Sequence, residues 1–448
     1  MAEDTLNNSL EDILARPIHI SKIFIHGLLR TKEDFAKNVS RKLFDAKTLR
    51  EYLESAQDVQ ATFNNLGVTK GVGLKLDVSD DGSEGLFVHV NLVEKKRWAG
   101  AVKGFMGNDA DAKIGIGGGL NASGLFPNLL GRGEKLSCCW QQALENNRKE
   151  IVFQKPTGTD YDSVASTSAY SYSGNVVLSG FKEQHTGVTL DRTINYSDFM
   201  HKFSWLGVWR QLLPLSDKTA WSVREQAGHS LKSSLKHEMT FDSRDDVILP
   251  SQGIIFRLSQ ELAGLGGDCH FYSKQLSLQL NQVLPKSRIV GQVGCSVGHV
   301  QPLNFTAGSV NKPLSILDKF YLGGPTSLRG FENKGIGPRE GENALAADFF
   351  WLGYASLLLP PPGVRGGLLD KFRLQLFVNC GNCSNWNTES SWKKRYQDQL
   401  STMRLTYGAG IVTNFLGAKM ELNYCFPIKH QRHDKVQSGF QFGISVGD

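Results

Sequence analysis

Cys380-Gly-Asn-Cys383 has the C-x-x-C spacing of a redox dithiol or of half a zinc site, and Cys138-Cys139 form an adjacent thiol pair. A structural zinc takes about four ligands at matched spacing. Neither a second C-x-x-C nor a His pair at H-x(3–5)-H zinc spacing accompanies it among the 11 histidines, so no metal and no cofactor is expected. Gly117-Gly-Gly119-Leu-Asn-Ala122 spells a G-x-G-x-x-A phosphate cradle. It lies in a run that reads as a strand hairpin rather than a strand-to-helix turn, so it is not read as a nucleotide site. No G-x-S-x-G and no P-loop occurs, and an enzyme is not expected. The remaining grouping is Tyr321-Leu-Gly323-Gly324-Pro-Thr-Ser327-Leu328-Arg329-Gly330-Phe331. A guanidinium offers a planar fork of donors to a partner. Gly330 lets the backbone turn closely, and Leu328 and Phe331 flank the Arg-Gly with apolar bulk. On these residues alone, an arginine anchored inside a polar lumen and a solvated surface loop both fit.

The elements that must position this motif alternate. It sits in a long connection, residues 300–346, rich in Gly, Pro, Asn and Ser. Connections beyond about 15 residues are functional or disordered. From residue 98 to 448 the chain reads as segments of about ten residues with strict period two. Leu231, Leu235, Met239 and Phe241 oppose Lys232, Ser234, Lys236 and Glu238. Phe372, Leu374, Leu376 and Val378 oppose Arg373, Gln375 and Asn379, and Met420, Leu422, Tyr424 and Phe426 oppose Lys419, Glu421 and Asn423. About fifteen to seventeen such segments are expected, each the length a tilted membrane strand needs. Glu238, Arg257, Lys274, Arg373 and Glu421 cannot all be buried unpaired. They suit a water-filled lumen, with the apolar face toward lipid. The 47 glycines then serve a curved wall. A large soluble β-sandwich is the alternative.

No run of about 18 apolar residues exists, so no membrane helix is expected. The nearest approach, Ala344 to Leu359, contains Asp348 and runs into Pro360. The 50 basic and 44 acidic residues leave a charge of +6, spread without clusters, and no nucleic-acid partner is expected. Seven cysteines make a poor disulfide framework.

Residues 1–16 carry Glu3, Asp4, Glu11 and Asp12 and no apolar h-region, and read as a flexible arm that is neither a secretory signal nor a transit peptide. Residues 17–97 read as a small β-α-α-β-β domain. A strand at Ile18–Ile25 is followed by Gly27 and a helix capped by Thr31, with Phe35, Val39 and Leu43 on its apolar stripe. A second helix puts Leu49, Leu53, Ala56, Val59, Phe63 and Leu66 on one face, with Gly67 at its C-terminal cap. Val72, Leu74, Leu76 and Val78 form one strand, Leu86, Val88, Val90 and Leu92 the next, joined by Asp80-Asp81-Gly82.

Leu328-Arg329-Gly330-Phe331, preceded by Gly323-Gly324 and Ser327, resembles the (V/I)RG(F/Y) loop motif of the bacterial barrel-assembly superfamily. Asp242-Ser-Arg244-Asp245, with Pro250 and Gly253, is similar to that family's D-x-R-[DN]…P-x-x-G hairpin. The β-α-α-β-β domain resembles a POTRA (polypeptide-transport-associated) domain, with Ile23, Ile25, Gly27 and Arg30-Thr31 in the usual places. The motifs are in the family's order and cover nearly the whole chain after residue 17. Within the superfamily the sequence most resembles the barrel subunits of the mitochondrial sorting and assembly machinery. The single POTRA-like domain and the N-terminus without a signal peptide point that way. So does Gln437-Ser-Gly439-Phe-Gln-Phe442-Gly443-Ile444, which matches the mitochondrial β-signal.

The resemblance implies an all-β transmembrane fold: a 16-stranded antiparallel β-barrel behind one POTRA-like domain. Its loop 300–346 folds inward between strands eleven and twelve, here Ile289–Val297 and Phe349–Leu359, and the hairpin motif joins strands eight and nine. Bacterial members place an acidic partner for the motif arginine on strand thirteen, where this sequence reads Phe377-Val-Asn379-Cys-Gly381. Asn379 can accept a hydrogen bond from Arg329 but cannot form an ion pair. The resemblance also implies a function: inserting β-barrel precursors into the mitochondrial outer membrane through a seam between first and last strands. Those strands carry Trp98, Gly100 and Gly104, and Gln437, Gly439, Phe442, Gly443 and Ile444. The implied surroundings are the lipid bilayer, metaxin-like subunits on the cytosolic side and the cristae-organising (MICOS) complex. The POTRA-like domain is expected in the intermembrane space. A passive channel fits the alternation but needs neither the N-terminal domain nor the Arg-Gly-Phe loop. A polypeptide-secretion transporter of the same superfamily would be expected to carry a signal peptide and more than one POTRA-like unit.

Overall fold

The computed structural model describes residues 13–78, 85–108, 116–158, 161–303, 313–360, 372–386, 391–415 and 417–446. The Asp80-Asp81-Gly82 turn and most of the N-terminal arm lie outside them. The chain forms two compact units. The first is Met1–Ala101 with Ser123–Cys139 and Ile151–Ser168; the second is Val102–Ala122 with Trp140–Glu150 and Ala169–Asp448. The border expected between residues 97 and 98 separates elements rather than compact units. Segments of early sheet strands cluster with the N-terminal elements.

In the first unit, β1 (Ile20–His26), a helix over Glu33–Ser40, a 3-10 turn, a helix over Leu49–Leu66, β2 (Thr69–Val78) and β3 (Leu86–Glu94) follow in order. The strands form one sheet in the order β1-β3-β2, with β1 parallel and β2 antiparallel to β3. The helices cover it through Phe35, Val39, Tyr52, Val59, Phe63 and Leu66, against Val88, Val90 and Leu92. On the long helix the buried stripe runs through Tyr52, Ala56, Val59, Phe63 and Leu66, spaced four and three apart. Leu53 is one residue out of phase and exposed, so Tyr52 takes the place expected for it. That helix is capped by Thr48, whose Oγ1 accepts from the Glu51 N–H at 3.3 Å, and it ends at Gly67 in the left-handed region.

Thr31 does not cap the first helix; Lys32 holds that position without a side-chain bond. Thr31 instead donates its hydroxyl to Glu94 at 2.6 Å, and the backbone N–H groups of Leu29, Arg30 and Thr31 converge on the same carboxylate. Asn128 donates to Thr31 Oγ1 at 2.8 Å and accepts from the Gly133 N–H, fixing the turn after residue 127. Burial alone would raise the Glu94 pKa. The Thr31 hydroxyl and the backbone donors outweigh it and hold the carboxyl down, from 4.5 to about 2. A depressed carboxyl pKa stabilises the fold above the unfolded value, and the contribution fades as pH falls through the folded one. Glu94→Gln is therefore expected to cost roughly 2–3 kcal/mol near neutral pH. The difference from wild type should vanish between about pH 4.5 and about pH 2. Hydrogen exchange of the Leu49–Leu66 helix across that range measures this, and a pH-independent difference would contradict it.

The remaining strands build one sixteen-stranded sheet. They are β4 (Ala99–Asn108), β5 (Ile116–Pro127), β6 (Lys135–Ala143), β7 (Asn146–Thr157), β8 (Ser163–Val176), β9 (Phe181–Tyr196), β10 (Phe199–Pro214) and β11 (Gly228–Asp242). After these come β12 (Gly253–Ala263), β13 (Phe271–Val283), β14 (Val290–Pro302), β17 (Phe349–Leu359), β18 (Phe372–Ser384), β19 (Arg404–Phe415), β20 (Ala418–Lys429) and β21 (Gly439–Val446). Two-residue strands β15 (Arg339–Glu340) and β16 (Asn343–Ala344) pair within the long connection. Sheet order follows sequence order from β4 to β21, and every ladder from β9 to β21 is antiparallel. The long connection joins the eleventh and twelfth sheet strands, β14 and β17, and the hairpin motif joins the eighth and ninth, β11 and β12.

The polar pattern is inverted relative to a soluble core. Gln375, Asn379, Arg404, Glu421 and Asn423 are buried, while Leu374, Leu376, Val378, Tyr424 and Phe426 on the opposite parity are exposed. Strands whose apolar residues face outward and whose charges face one another satisfy a hydrocarbon surround, not water. No helix among the described residues is long and apolar enough to cross a membrane.

Candidate functional site

The described part of the connection between β14 and β17, residues 313–348, is an insert on the polar face of the second unit. Phe320 pairs with Ala347 and Leu322 with Ile336 as isolated bridges, closing it into nested turns. The Ser327 Oγ accepts from the Gly323 N–H at 3.2 Å, and the Ser327 N–H donates to the Gly324 carbonyl at 3.2 Å. This turn presents Leu328-Arg329-Gly330-Phe331. Leu328 and Phe331 are fully buried in a cluster with Leu322, Ile336, Phe350 and Cys383, and act as two apolar pegs. Gly381 on β18 makes the seat for one peg: a Cβ there would stand 2.9 Å from Leu328 Cδ1.

Between the pegs, Arg329 reaches β20. Its Nε and Nη2 donate to the two oxygens of Glu421, at 3.2 and 2.8 Å. Lys419 Nζ lies 3.6 Å from the same carboxylate. The guanidinium carbon stands 5.0 Å from the centre of the Phe377 ring. In the amide orientation that satisfies both ends, Asn379 Oδ1 accepts from Arg329 Nη1 at 3.3 Å and its Nδ2 donates to the Val378 carbonyl. Phe377 and Asn379 on the thirteenth sheet strand therefore touch the arginine. The charge partner is on the fifteenth strand, and the sequence reading did not assign it. The signal was present, since Glu421 sits on the inward parity of a strand whose charges needed partners.

Gly330 carries the backbone round at φ +84°, and a Cβ there would stand 2.7 Å from Thr406 Cγ2. Its N–H donates to Gln441 Oε1 at 2.9 Å, and Gln441 Nε2 donates to the Phe331 carbonyl at 2.8 Å. The Gln437 N–H donates to the Gly330 carbonyl at 2.9 Å, and Phe331 bridges to Val436. The motif loop is thus hydrogen-bonded to the last strand and its approach. Within β21, Phe442, Gly443 and Ile444 pair with Leu422, Glu421 and Met420, while Gly439 opposes Cys425. Ile444 is buried although Phe440, on the same parity, is exposed. Trp98 precedes β4 and is exposed; Gly100 and Gly104 lie within β4.

A second anchor went unread in the sequence. Asp318 accepts from Arg210 on β10 at 2.7 and 3.0 Å and from Lys232 on β11 at 3.3 Å. Lys232 also pairs with Glu261 at 2.7 Å. Arg210 is the lone charge in the run from Trp205 to Leu213, which apart from Gln211 is apolar, and that singularity was the available signal.

In the hairpin, Asp242 takes a bidentate grip on Arg244 at 2.8 and 2.7 Å. Asp245 Oδ1 accepts from the N–H groups of Asp246, Ser251 and Gln252, closing the turn before Gly253; Pro250 is buried. Both motifs meet at one chamber of about 270 Å³, lined by Arg244, Pro250, Arg257, Ser327, Arg329 and Lys419 among others.

A family model described as the Omp85 superfamily domain matches residues 128–446. Sorting and assembly machinery component 50 homolog of Bos taurus is 34% identical over 97% of this chain and 90% of its own length. The Xenopus laevis homolog B is 33% identical over 96% of this chain and 91% of its own length. Among solved structures, BamA from Haemophilus ducreyi lacking POTRA domains 1–3 superposes with a TM-score of 0.78 at 16% identity, covering 96% of this chain and 84% of that one, which is likeness of fold. With its β-α-α-β-β elements, sixteen-stranded barrel fold and inward Arg-Gly-Phe loop, the chain belongs to the Omp85 superfamily and, within it, to the sorting and assembly machinery component 50 family.

Proposed function

We propose that this protein folds β-barrel precursors and inserts them into the mitochondrial outer membrane, using its first and last sheet strands as the template. The observation that carries the reading is the attachment of the Arg329-Gly330-Phe331 loop to the last strand through Gln441 and Gln437. A passive pore has no use for an inward loop that grips one particular strand. The sheet order ends at β4 and β21. A precursor strand in lipid cannot leave its backbone groups unpaired, and an available strand edge satisfies them by β-augmentation. Gly100 and Gly104 on one strand and Gly439 and Gly443 on the other weaken pairing and favour a separable seam. No covalent step is involved. The N-terminal POTRA-like domain faces the intermembrane space in this reading. Metaxin-like subunits dock on the cytosolic side, and the cristae-organising complex is reached from within.

Disulfide crosslinking between one cysteine on β4 and one on β21, with and without a client β-signal peptide, tests this. Crosslinking should fall when the peptide is added. A seam that never loosens would favour a plain channel.

A further inference from the structure

We propose that the chamber between the hairpin motif and the loop tip binds a phosphate group, as the free ion or as a phosphomonoester. Four cations reach its wall from four separate elements: Arg244 from the hairpin, Arg257 from β12, Arg329 from the loop and Lys419 from β20. Among the described residues no carboxylate lines it. Asp242 and Glu421 compensate three of these cations from outside the lining. Asp242 holds Arg244, and Glu421 is shared by Arg329 and Lys419. Three positive charges thus meet two negative ones, and Arg257 adds a guanidinium to the same wall.

Like charges gathered round a confined space disfavour one another, and a cleft walled by one sign of charge concentrates the opposite ion. The donors and acceptors at the wall suit an oxyanion. Lys419 Nζ stands 3.6 Å from Glu421, longer than a hydrogen bond, so its three N–H groups are available. Guanidinium forks match the spacing of phosphate oxygens. Gln375 on β18 lines the chamber and is only 2% exposed, and its amide oxygen has no hydrogen-bond partner among the described residues. A buried amide left unpaired is costly. Hydrogenphosphate answers either end of it, because its P–OH donates and its other oxygens accept, whereas chloride donates nothing. At about 270 Å³ the chamber is smaller than a drug-sized pocket and suits a small anion or a short ester. A phosphate there ties the hairpin to the loop tip, since both contribute cations to it.

The test titrates the full chain in detergent micelles with inorganic phosphate by calorimetry, with sodium chloride holding the ionic strength constant. The wild type should show one saturable site. Lys419→Met keeps the Arg329–Glu421 pair, so the loop anchor survives, and it should raise the half-saturating phosphate concentration roughly ten- to hundredfold. Gln375→Met preserves the length of the side chain and breaks no side-chain hydrogen bond of the amide oxygen, and it should raise that concentration roughly three- to tenfold. Lys218→Met, at an exposed lysine between β10 and β11, should leave it unchanged. Glycerophosphate is the second probe. Its competition with phosphate admits a phosphomonoester to the chamber, and its failure to compete confines the site to the free ion. No saturable binding to the wild type overturns the site without recourse to any variant. Wild-type affinity in both Lys419→Met and Gln375→Met, or an equal loss in Lys218→Met and Lys419→Met, overturns it as well.

Discussion

Glu421→Gln is expected to destabilise the folded chain by about 3–5 kcal/mol, because it leaves Arg329 buried without a counter-charge. The size follows from the asymmetry of the site. Glu421 serves two cations, Arg329 at 2.8 Å and Lys419 at 3.6 Å, and among the described residues no other carboxylate pairs with either. Removing the arginine instead leaves Glu421 still paired with Lys419. Arg329→Met should therefore cost less, about 1–3 kcal/mol for the lost hydrogen bonds to a charged group. It also leaves methionine to pack on Phe377. Arg329→Met should lower assembly of client barrels without abolishing folding or expression. The double substitution with Glu421→Leu should be milder than Glu421→Gln alone, since an apolar replacement of a buried pair is often neutral. Heat-modified gel mobility in detergent ranks the three variants. Equal tolerance of Glu421→Gln and Arg329→Met would remove the argument.

The second large effect is expected at the other end of the loop. Asp318→Asn strands Arg210, whose remaining side-chain contact in this cluster is the Cys269 sulfur at 2.8 Å. Lys232 keeps Glu261 and is spared. The loss is again about 3–5 kcal/mol, but it falls on the loop rather than the sheet, because β10 and β11 remain paired along their whole ladder. The expected readout is local. Trypsin should cut at Lys319 roughly a hundredfold faster, while the strands stay protected. Cleavage at the wild-type rate would mean that the bridges through Phe320 and Ala347 hold the segment unaided.

What could be read in the sequence was what repeats. Period-two alternation gives the strands, their inward and outward faces and a count of about fifteen to seventeen, since lipid enforces the pattern on every segment; the value of sixteen came from the family resemblance. Its regularity also placed the long connection between the right strands, while the place of the hairpin came from the family resemblance. What could not be read was which inward group meets which. The residues of the loop left Arg329 either anchored or solvated; only the family resemblance pointed to an anchor and to Phe377 and Asn379 beside it. Glu421 was one of several inward carboxylates, and nothing in a strand's alternation says how two strands are staggered across the lumen. Arg210 with Asp318, separated by 108 residues, was out of reach for the same reason. Thr31 failed differently. Its position before a helix fits a cap, but Glu94 offers its hydroxyl and three neighbouring backbone donors one acceptor, a convergence visible only once β3 lies beside the end of β1.

The inversion of the sheet has a consequence for how this wall stores information. Hydrocarbon is a fluid that asks only for apolarity, so Leu374, Leu376 and Val378 on the outside can exchange among themselves with little effect. On the inside, Gln375, Asn379, Glu421 and Asn423 face fixed partners or fixed space, and each has few acceptable substitutes. One strand thus carries two texts of unequal strictness, interleaved letter by letter. The outer is a permit for residence in the membrane, and the inner is an address. A client strand of generic amphipathic character holds the permit without the address. In such a protein, the difference between a barrel that is merely inserted and one that is recognised is written on the face that lipid never sees.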